Sequence, residues 1–203
     1  LVAWQVIISV GTLLAPISLG SEAGLSAALF YMLSTTWTVG GLFLVSELIA
    51  NQRGSANDRI ITAPRMHNRT FLSVLFLIGA VAAAGLPPLS GFIGKLLILQ
   101  SVEPGFEMAW LWSVLLVGSF LTIIAYSRAG SIVFWRTVDG HLEKPDPLNG
   151  RISVAAGALT ALAIVLVVFA GPITRYTDAT AEQLHNNNAY IEILQMPMVG
   201  EDD

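Results

Sequence analysis

The 203-residue sequence contains no cysteine and few charged residues. Without cysteine, the chain has neither a disulfide framework nor a thiolate metal site. Charged residues make up 12% of the chain, whereas soluble domains contain about 25%, and 54% of the residues are hydrophobic. No basic cluster typical of nucleic-acid binding, no phosphate-binding loop and no nucleophile motif is seen. We therefore expect an integral membrane protein with no nucleic-acid partner, no cofactor and no metal site.

Apolar stretches separated by short polar segments predict an all-α polytopic transmembrane helix bundle with about five spans. The predicted membrane domain covers residues 1–175, and residues 176–203 are read as an acidic tail. Because the chain begins inside an apolar run, we also expect it to be the C-terminal portion of a longer protein. The predicted spans are residues 1–19, 23–49, 71–101 (broken at 86–90), 109–135 and 152–174.

The distribution of lysine and arginine predicts the orientation of these spans. With this span count, the basic loops 50–70 and 136–151 lie on the same side of the membrane, which the positive-inside rule identifies as cytoplasmic. The C-terminal tail is then external, and the protein is a multi-pass protein of the cell (inner) membrane. If residues 71–101 formed a re-entrant pair, the two basic loops would face opposite sides, and the charge pattern argues against that arrangement.

The third apolar stretch is longer than the ~20 residues that one straight span needs. Pro87 and Pro88 near its middle cannot donate backbone hydrogen bonds and clash with the preceding turn. Gly85 and Gly91 add backbone freedom on either side. The pattern predicts two half-helices joined by an unwound segment, which is tolerated at membrane depth where it is buried in protein or lines a wet cavity. The glycines also allow close helix packing, as small residues do in membranes.

Lys95 follows this break by about one helical turn. Ionisable side chains inside a membrane span mark ion or proton pathways, and a desolvated lysine is able to load and unload a proton near neutral pH. The sequence therefore favours Lys95 as a proton carrier. The alternative is that Lys95 extends its long side chain to the membrane interface, as lysines near the ends of spans do.

Hydroxyl groups cluster in the second predicted span. Ser34 and Thr38 share a helix face, and with Thr35 they are candidates to line a water path toward Lys95. The alternative is that they form hydrogen bonds between helices or back to their own carbonyls. Glu47, near the end of this span, either leads protons or cations to the path or is an interfacial carboxylate that faces water or an arginine.

Three stretches carry a resemblance to a known superfamily. They are AGLPPLSGFIGKLLIL (84–99), AALFYMLSTTWTVGGLFLVSELI (27–49) and SRAGSIVFWR (127–136). The first resembles the second broken helix of the antiporter-like proton-translocating subunits, a superfamily that includes the D subunit of Mrp/Pha multisubunit cation/proton antiporters and the antiporter-like subunits of respiratory complex I. The form found here looks most like the Mrp/Pha D subunit.

The resemblance implies a proton-translocating subunit of an Na⁺(K⁺)/H⁺ antiporter, with Lys95 at the position of the family's proton-carrying lysine. It also implies other Mrp/Pha subunits, protons, Na⁺ or K⁺ and the lipid bilayer as partners. Many members of the superfamily have a relay histidine in the stretch that aligns with residues 31–35, and this chain has none there. The alternatives are a proton-pumping subunit of a complex I-type NADH:quinone oxidoreductase and a structural or assembly subunit without transport.

Overall fold

The computed structural model describes residues 1–138 and 148–186, and these ranges fold into α-helices without a β-sheet. The predicted all-α architecture is confirmed. Seven α-helices occur in the described part of the chain. They are α1 (Val2–Ser18), α2 (Glu22–Gln52), α3 (Arg69–Ala84), α4 (Ser90–Gln100), α5 (Phe106–Gly130), α6 (Gly150–Val168) and α7 (Ala170–His185).

The central element is α2, on which α1, α3, α4, α6 and α7 all pack. Its first turn is capped by Ser21, whose side chain accepts a hydrogen bond of 3.0 Å from the Gly24 N–H, as serine commonly does at a helix N-terminus. Along its length, Gly40 and Gly41 face Leu159 of α6, and small residues of this kind let membrane helices approach closely. The longest helix of the bundle thus contacts the elements on both sides of the break.

Within residues 1–138 and 148–186, three helices are long and apolar enough to cross a membrane. These are α2, α6, and α5 with the π-helical turn Ser131–Trp135 that continues it. The helices α1, α3 and α4 are apolar but shorter, and α3 and α4 together occupy the third predicted span. This set of helices supports a multi-pass membrane architecture.

The third predicted span is a discontinuous helix, as expected. Its first half, α3, ends at Gly85, which has a left-handed backbone with φ of +77°. The Gly85 N–H donates to Ala82 O and the Leu86 N–H donates to Val81 O, both at 3.1 Å, the type of capping that glycine favours at a helix end. The chain then passes through Pro87 and Pro88 before α4 begins at Ser90.

The helices at the end of the described chain have other bounds than the last predicted span. Residues 152–174 form two helices that meet at Phe169, and α7 continues to His185, so the predicted tail begins inside a helix. Hydrogen bonding to α2 explains this extension. Ser26 Oγ lies 3.0 Å from Thr177 Oγ1 and donates to Asp178 Oδ1 at 2.5 Å. Residues 187–203 of the predicted tail lie outside the described residues.

The loop between α2 and α3 is held by Arg53, the residue that follows the last residue of α2. The Arg53 side chain is 2% exposed and donates to the carbonyl oxygens of Asn57 (3.0 Å), Arg59 (2.5 Å) and Ile61. Burial lowers the pKa of the Arg53 guanidinium, and Asp58 opposes this shift. An arginine remains charged in proteins, so its fixed donors can bond three carbonyls of one loop at once.

The two basic loops meet at one end of the bundle. Ala63 and Thr137 form an isolated β-bridge, and the Val138 N–H donates to Ala63 O at 3.3 Å. This contact brings the first residues of the second loop against the loop between α2 and α3. Residues 139–147 of the second loop lie outside the described residues.

We expect Arg53→Ala to loosen the loop between α2 and α3. A hydrogen bond from a charged donor contributes about 1.5–3 kcal/mol, so losing these bonds should raise the rate of thermolysin cleavage near Ile60 and Ile61 by about tenfold or more. Gel electrophoresis of timed digests measures this rate. Arg65→Ala is the matched control, because Arg65 is exposed and forms no side-chain hydrogen bond within the described ranges. Equal cleavage of the two variants would contradict this role.

We expect Gly91→Ala to destabilise the junction between α3 and α4. A Cβ at this position would lie 1.9 Å from Ala82 O, so α4 would have to move away from α3, and overpacking of this kind costs about 1–3 kcal/mol. The thermal unfolding midpoint of the detergent-purified protein should fall. Gly157→Ala on α6 is the control, since apart from its chain neighbours and the adjacent backbone of α6 no atom lies within 4 Å of the added Cβ. A midpoint that Gly91→Ala leaves unchanged would show that the close approach is not required.

Candidate functional site

The candidate site is centred on Lys95, in the second turn of α4. Its side chain is 8% exposed, and Nζ donates to Ala84 O at 2.9 Å, Ala83 O at 3.2 Å and Ser119 Oγ at 2.9 Å. The two carbonyls belong to the last residues of α3, at the break in the span. The ammonium therefore points back toward the break, not toward the far end of α4 as the interfacial alternative requires.

The carbonyls that receive Lys95 are available because of how α3 ends. The last carbonyls of a helix have no partner within it. At the end of α3, capping by Gly85 and Leu86 occupies Ala82 O and Val81 O, which leaves the carbonyls of Ala83 and Ala84 to other donors. The C-terminus of a helix also carries a partial negative charge. The break thus provides two hydrogen-bond acceptors and a favourable electrostatic field for a cation.

The two glycines of the motif let the lysine reach these acceptors. A Cβ on Gly85 would lie 2.6 Å from Cδ of Lys95, and the left-handed conformation at this residue costs other residues about 1–2 kcal/mol. Gly91 allows the first turn of α4 to contact the carbonyl of Ala82. Pro87 and Pro88 shape the segment between these glycines and are exposed on the surface of the bundle.

The Lys95 site is surrounded by uncharged groups. Among the described residues, no aspartate or glutamate forms an ion pair with Nζ. Next to the lysine is a cavity of about 330 Å³ between α1, α4 and α5. Its polar lining comes from Lys95, Thr12 and Ser119, while isoleucine, leucine, valine and small residues complete the wall. A water occupies about 30 Å³ in the liquid, so this cavity is large enough for several water molecules.

The predicted hydroxyl residues of α2 face different neighbours. Ser34 Oγ donates to Ser90 Oγ of α4 at 2.9 Å, and Thr35 Oγ1 donates to Ser9 Oγ of α1 at 2.7 Å. Thr38 is buried on the side of α3 and α6, and its hydroxyl has no partner in the described part of the chain. Ser34 and Thr35 thus form hydrogen bonds between helices, and Thr38 does not reach Lys95.

Glu47 lies away from Lys95, at the end of α2 that leads into the basic loop. Its carboxylate accepts a hydrogen bond from Asn51 at 3.3 Å. It lines a second cavity, of about 460 Å³, with the first residues of α1 and with Asp58. The structure therefore places Glu47 at a cavity on the loop side of the bundle.

Sequence reasoning did not identify the buried polar face of α1. The buried residues of this helix are Gln5, Ser9, Thr12 and Pro16. Their spacing of four, three and four residues is that of one helix face, and this pattern in an apolar segment was the available signal. Ser119 and Ser90 were not predicted as contacts either, because no periodicity links single serines on separate helices.

Comparison of the sequence with known proteins identifies a family. The family described as "NADH:quinone oxidoreductase/Mrp antiporter, TM" matches residues 1–125. The probable D subunit of a K⁺/H⁺ antiporter from Rhizobium meliloti is 31% identical over 98% of this chain and 42% of its own length. The D subunit of the Na⁺/H⁺ antiporter from Bacillus subtilis is 27% identical over 95% of this chain and 38% of its own length.

A third relative is named as part of a respiratory enzyme. The N subunit of NADH-quinone oxidoreductase from Hirschia baltica is 28% identical over 86% of this chain and 36% of its own length. The chain thus spans about two fifths of the length of the curated relatives it matches. On the match over residues 1–125, the chain belongs to the NADH:quinone oxidoreductase/Mrp antiporter transmembrane family.

Proposed function

We propose that this chain is part of a proton-translocating subunit of a multisubunit Na⁺(K⁺)/H⁺ antiporter and that Lys95 carries the proton. The observation that supports this proposal best is a buried ammonium held by the free carbonyls of a broken helix. Discontinuous membrane helices bind coupling ions in this way in other transporters. The relatives named as antiporter D subunits favour antiport as the function.

The energetics of the site suit a group that gains and loses a proton. Moving an ammonium out of water costs several kcal/mol even after relaxation. Hydrogen bonds to charged groups contribute about 1.5–3 kcal/mol each, and Lys95 donates three. The cost and the gain are therefore of similar size. A modest change nearby, such as the arrival of another cation, is then enough to move the proton.

The partners follow from the same proposal. The relatives are named as subunits, so the cation exchange is assigned to an assembled complex with other Mrp/Pha-type subunits. The exchanged cation is Na⁺ or K⁺, and the bundle resides in the cell membrane with its basic loops cytoplasmic and its C-terminal tail external. Ser34, Thr35 and Glu47 are assigned to the support or the entrance of the path.

A second candidate function is proton pumping in a complex I-type oxidoreductase. The similarity to the N subunit of NADH-quinone oxidoreductase favours it. The lack of a histidine at residues 31–35 favours the antiporter. In both cases Lys95 would carry the proton, while a purely structural role would not depend on its protonation.

We expect Lys95→Ala to reduce cation-induced ΔpH by more than tenfold in everted vesicles that contain the full complex, because the titrating group is removed. A pH-sensitive dye measures ΔpH, and immunoblots measure the amount of each protein in the complex. Lys95→Arg should also be inactive, since arginine keeps the positive charge but does not release its proton. This second variant separates a proton carrier from a structural cation.

Two outcomes would contradict the proposal. If Lys95→Ala assembles and retains wild-type ΔpH, Lys95 is not on the proton path. If Lys95→Arg restores the activity that Lys95→Ala loses, a fixed positive charge is sufficient and proton release from this side chain is not needed. Arg128→Ala is a suitable control, because Arg128 is an exposed cation at the far end of α5 and its loss should leave ΔpH near the wild-type value.

A further inference from the structure

A long apolar groove runs along the outside of the bundle between α3 and α5. Its volume is about 270 Å³, and its lining comes from residues 73–86 on one side and residues 123–135 on the other. On each helix the lining residues recur at intervals of three or four, so they form one helix face. Leu77 and Trp135 on the rim are exposed. We call this cavity, which opens to the surface of the bundle, the α3–α5 groove.

The floor of the α3–α5 groove is formed by packed aromatic rings. The Phe76 ring centroid lies 5.8 Å from that of Tyr126 and 5.4 Å from that of Phe134. Gly130 allows this packing, because a Cβ at this position would lie 3.0 Å from Phe76 Cε1. The groove is therefore closed toward the core of the bundle, and in a membrane its open side faces lipid.

The length of the α3–α5 groove matches the depth of one lipid leaflet. Residues 73–84 of α3 extend about 17 Å at the helical rise of 1.5 Å per residue. The hydrocarbon core of a bilayer is about 30 Å thick, so each leaflet contributes about 15 Å. Pockets for drug-sized ligands are larger, about 300–1,000 Å³. A single acyl chain that begins at the membrane surface thus fits the groove better than a bulky ligand does.

One end of the α3–α5 groove is positively charged. Arg69 begins α3 one turn before Ser73, and its guanidinium lies over the Trp135 ring, 5.9 Å from the centroid. Arg136, the next residue after Trp135, is exposed. Among the described residues, no carboxylate forms an ion pair with either arginine. The protein therefore places two cations at this end of the groove without an anion of its own to balance them.

The π-helical turn Ser131–Trp135 determines how α5 ends beside the groove. Phe134 is buried in the core, whereas the next residue, Trp135, is exposed. Single π-helical turns occur frequently at functional sites, and tryptophan is enriched where membrane helices meet water. The charged end of the groove is thus expected at the membrane surface, where lipid headgroups lie.

We propose that the α3–α5 groove binds one acyl chain of an anionic phospholipid, with the lipid phosphate at Arg69 and Arg136. The planar guanidinium group suits a phosphate, to which it donates two parallel hydrogen bonds. Basic pockets between membrane helices bind anionic lipid headgroups in other proteins. Because lipid tails are as apolar as leucine, the groove positions the chain and the arginines select the headgroup. This site does not depend on the proposed role of Lys95.

The inner end of the α3–α5 groove lies at the break of the third span. Ala84 and Leu86 line it, and Ala84 O is one of the carbonyls that accept from Lys95. A bound acyl chain therefore contacts, from the lipid side, the helix end that holds the candidate site.

The test uses phosphatidylglycerol with a photoreactive diazirine on one acyl chain, and phosphatidylcholine with the same chains as the uncharged control. The full complex is reconstituted with either lipid and irradiated, and mass spectrometry measures labelled peptides from residues 73–86 and 123–135. We expect at least about fivefold more labelling by phosphatidylglycerol, since one arginine near the surface attracts an anionic lipid by roughly this factor. Equal labelling by the two lipids would overturn the proposal.

Two variants and their controls locate the site. Arg69→Gln should remove the preference for phosphatidylglycerol, and Ser127→Trp, on the exposed rim, should fill the groove and lower labelling about fivefold. Arg65→Gln and Val117→Trp are the matched controls, because both residues are exposed and neither lines the groove. Immunoblots measure assembly, and the comparison of the two lipids on the wild-type complex needs no variant. Equal effects of the controls and the groove variants would contradict the site.

The occupant of the groove in native membranes is identified by placing the photoreactive residue p-benzoylphenylalanine at Leu77, which is exposed on the rim. A mass increase equal to one phospholipid would support the proposal. A crosslink to another protein, or to a distant segment of the same polypeptide, would show that protein fills the groove and would overturn it. An active Lys95→Ala would overturn the proposed function alone, because lipid labelling does not require transport.

Discussion

The structure depends on one interaction, the contact between the Lys95 ammonium and the free carbonyl end of α3. An ammonium at membrane depth requires acceptors, and a continuous helix has none to offer because its carbonyls bond within the helix. The break supplies them. Gly85 and Leu86 cap Val81 and Ala82, and the two carbonyls that follow accept from Lys95. The break and the lysine therefore form one structural unit.

That contact is maintained by α2, which packs on both halves of the broken span. Leu42 of α2 contacts Gly79 of α3, whereas Tyr31 contacts Gly94 of α4. Ser34 adds the 2.9 Å hydrogen bond to Ser90 at the start of α4. Since one rigid helix positions both half-helices, the distance between the α3 carbonyls and Lys95 is set by side-chain packing along α2. The small residues of α3 and α4 are needed for this close packing.

Sequence patterns were informative where one segment determines the outcome. Two prolines and flanking glycines predicted the break, and apolar run length predicted the helical membrane bundle. Patterns within one segment could not predict features that depend on contacts between two separate segments. Thr35 faces α1, whereas Thr38 faces α3 and α6. Which neighbour each face of α2 contacts depends on the packing of the other helices. The extension of α7 to His185 depends on Ser26, far away in sequence. Neither contact has a periodic signal within its own segment.

The uncharged surroundings of Lys95 have a consequence for how its proton is controlled. A fixed carboxylate 4 Å away would favour the ammonium by about 4 kcal/mol at an effective dielectric constant of 20, a bias of roughly a thousandfold. Carbonyls and a serine hydroxyl hold the cation less tightly. Among the described groups, the charge state of Lys95 therefore depends on dipoles and on water in the adjoining cavity. A site of this kind responds to a charge that arrives from elsewhere, as the proposed coupling to a second cation requires.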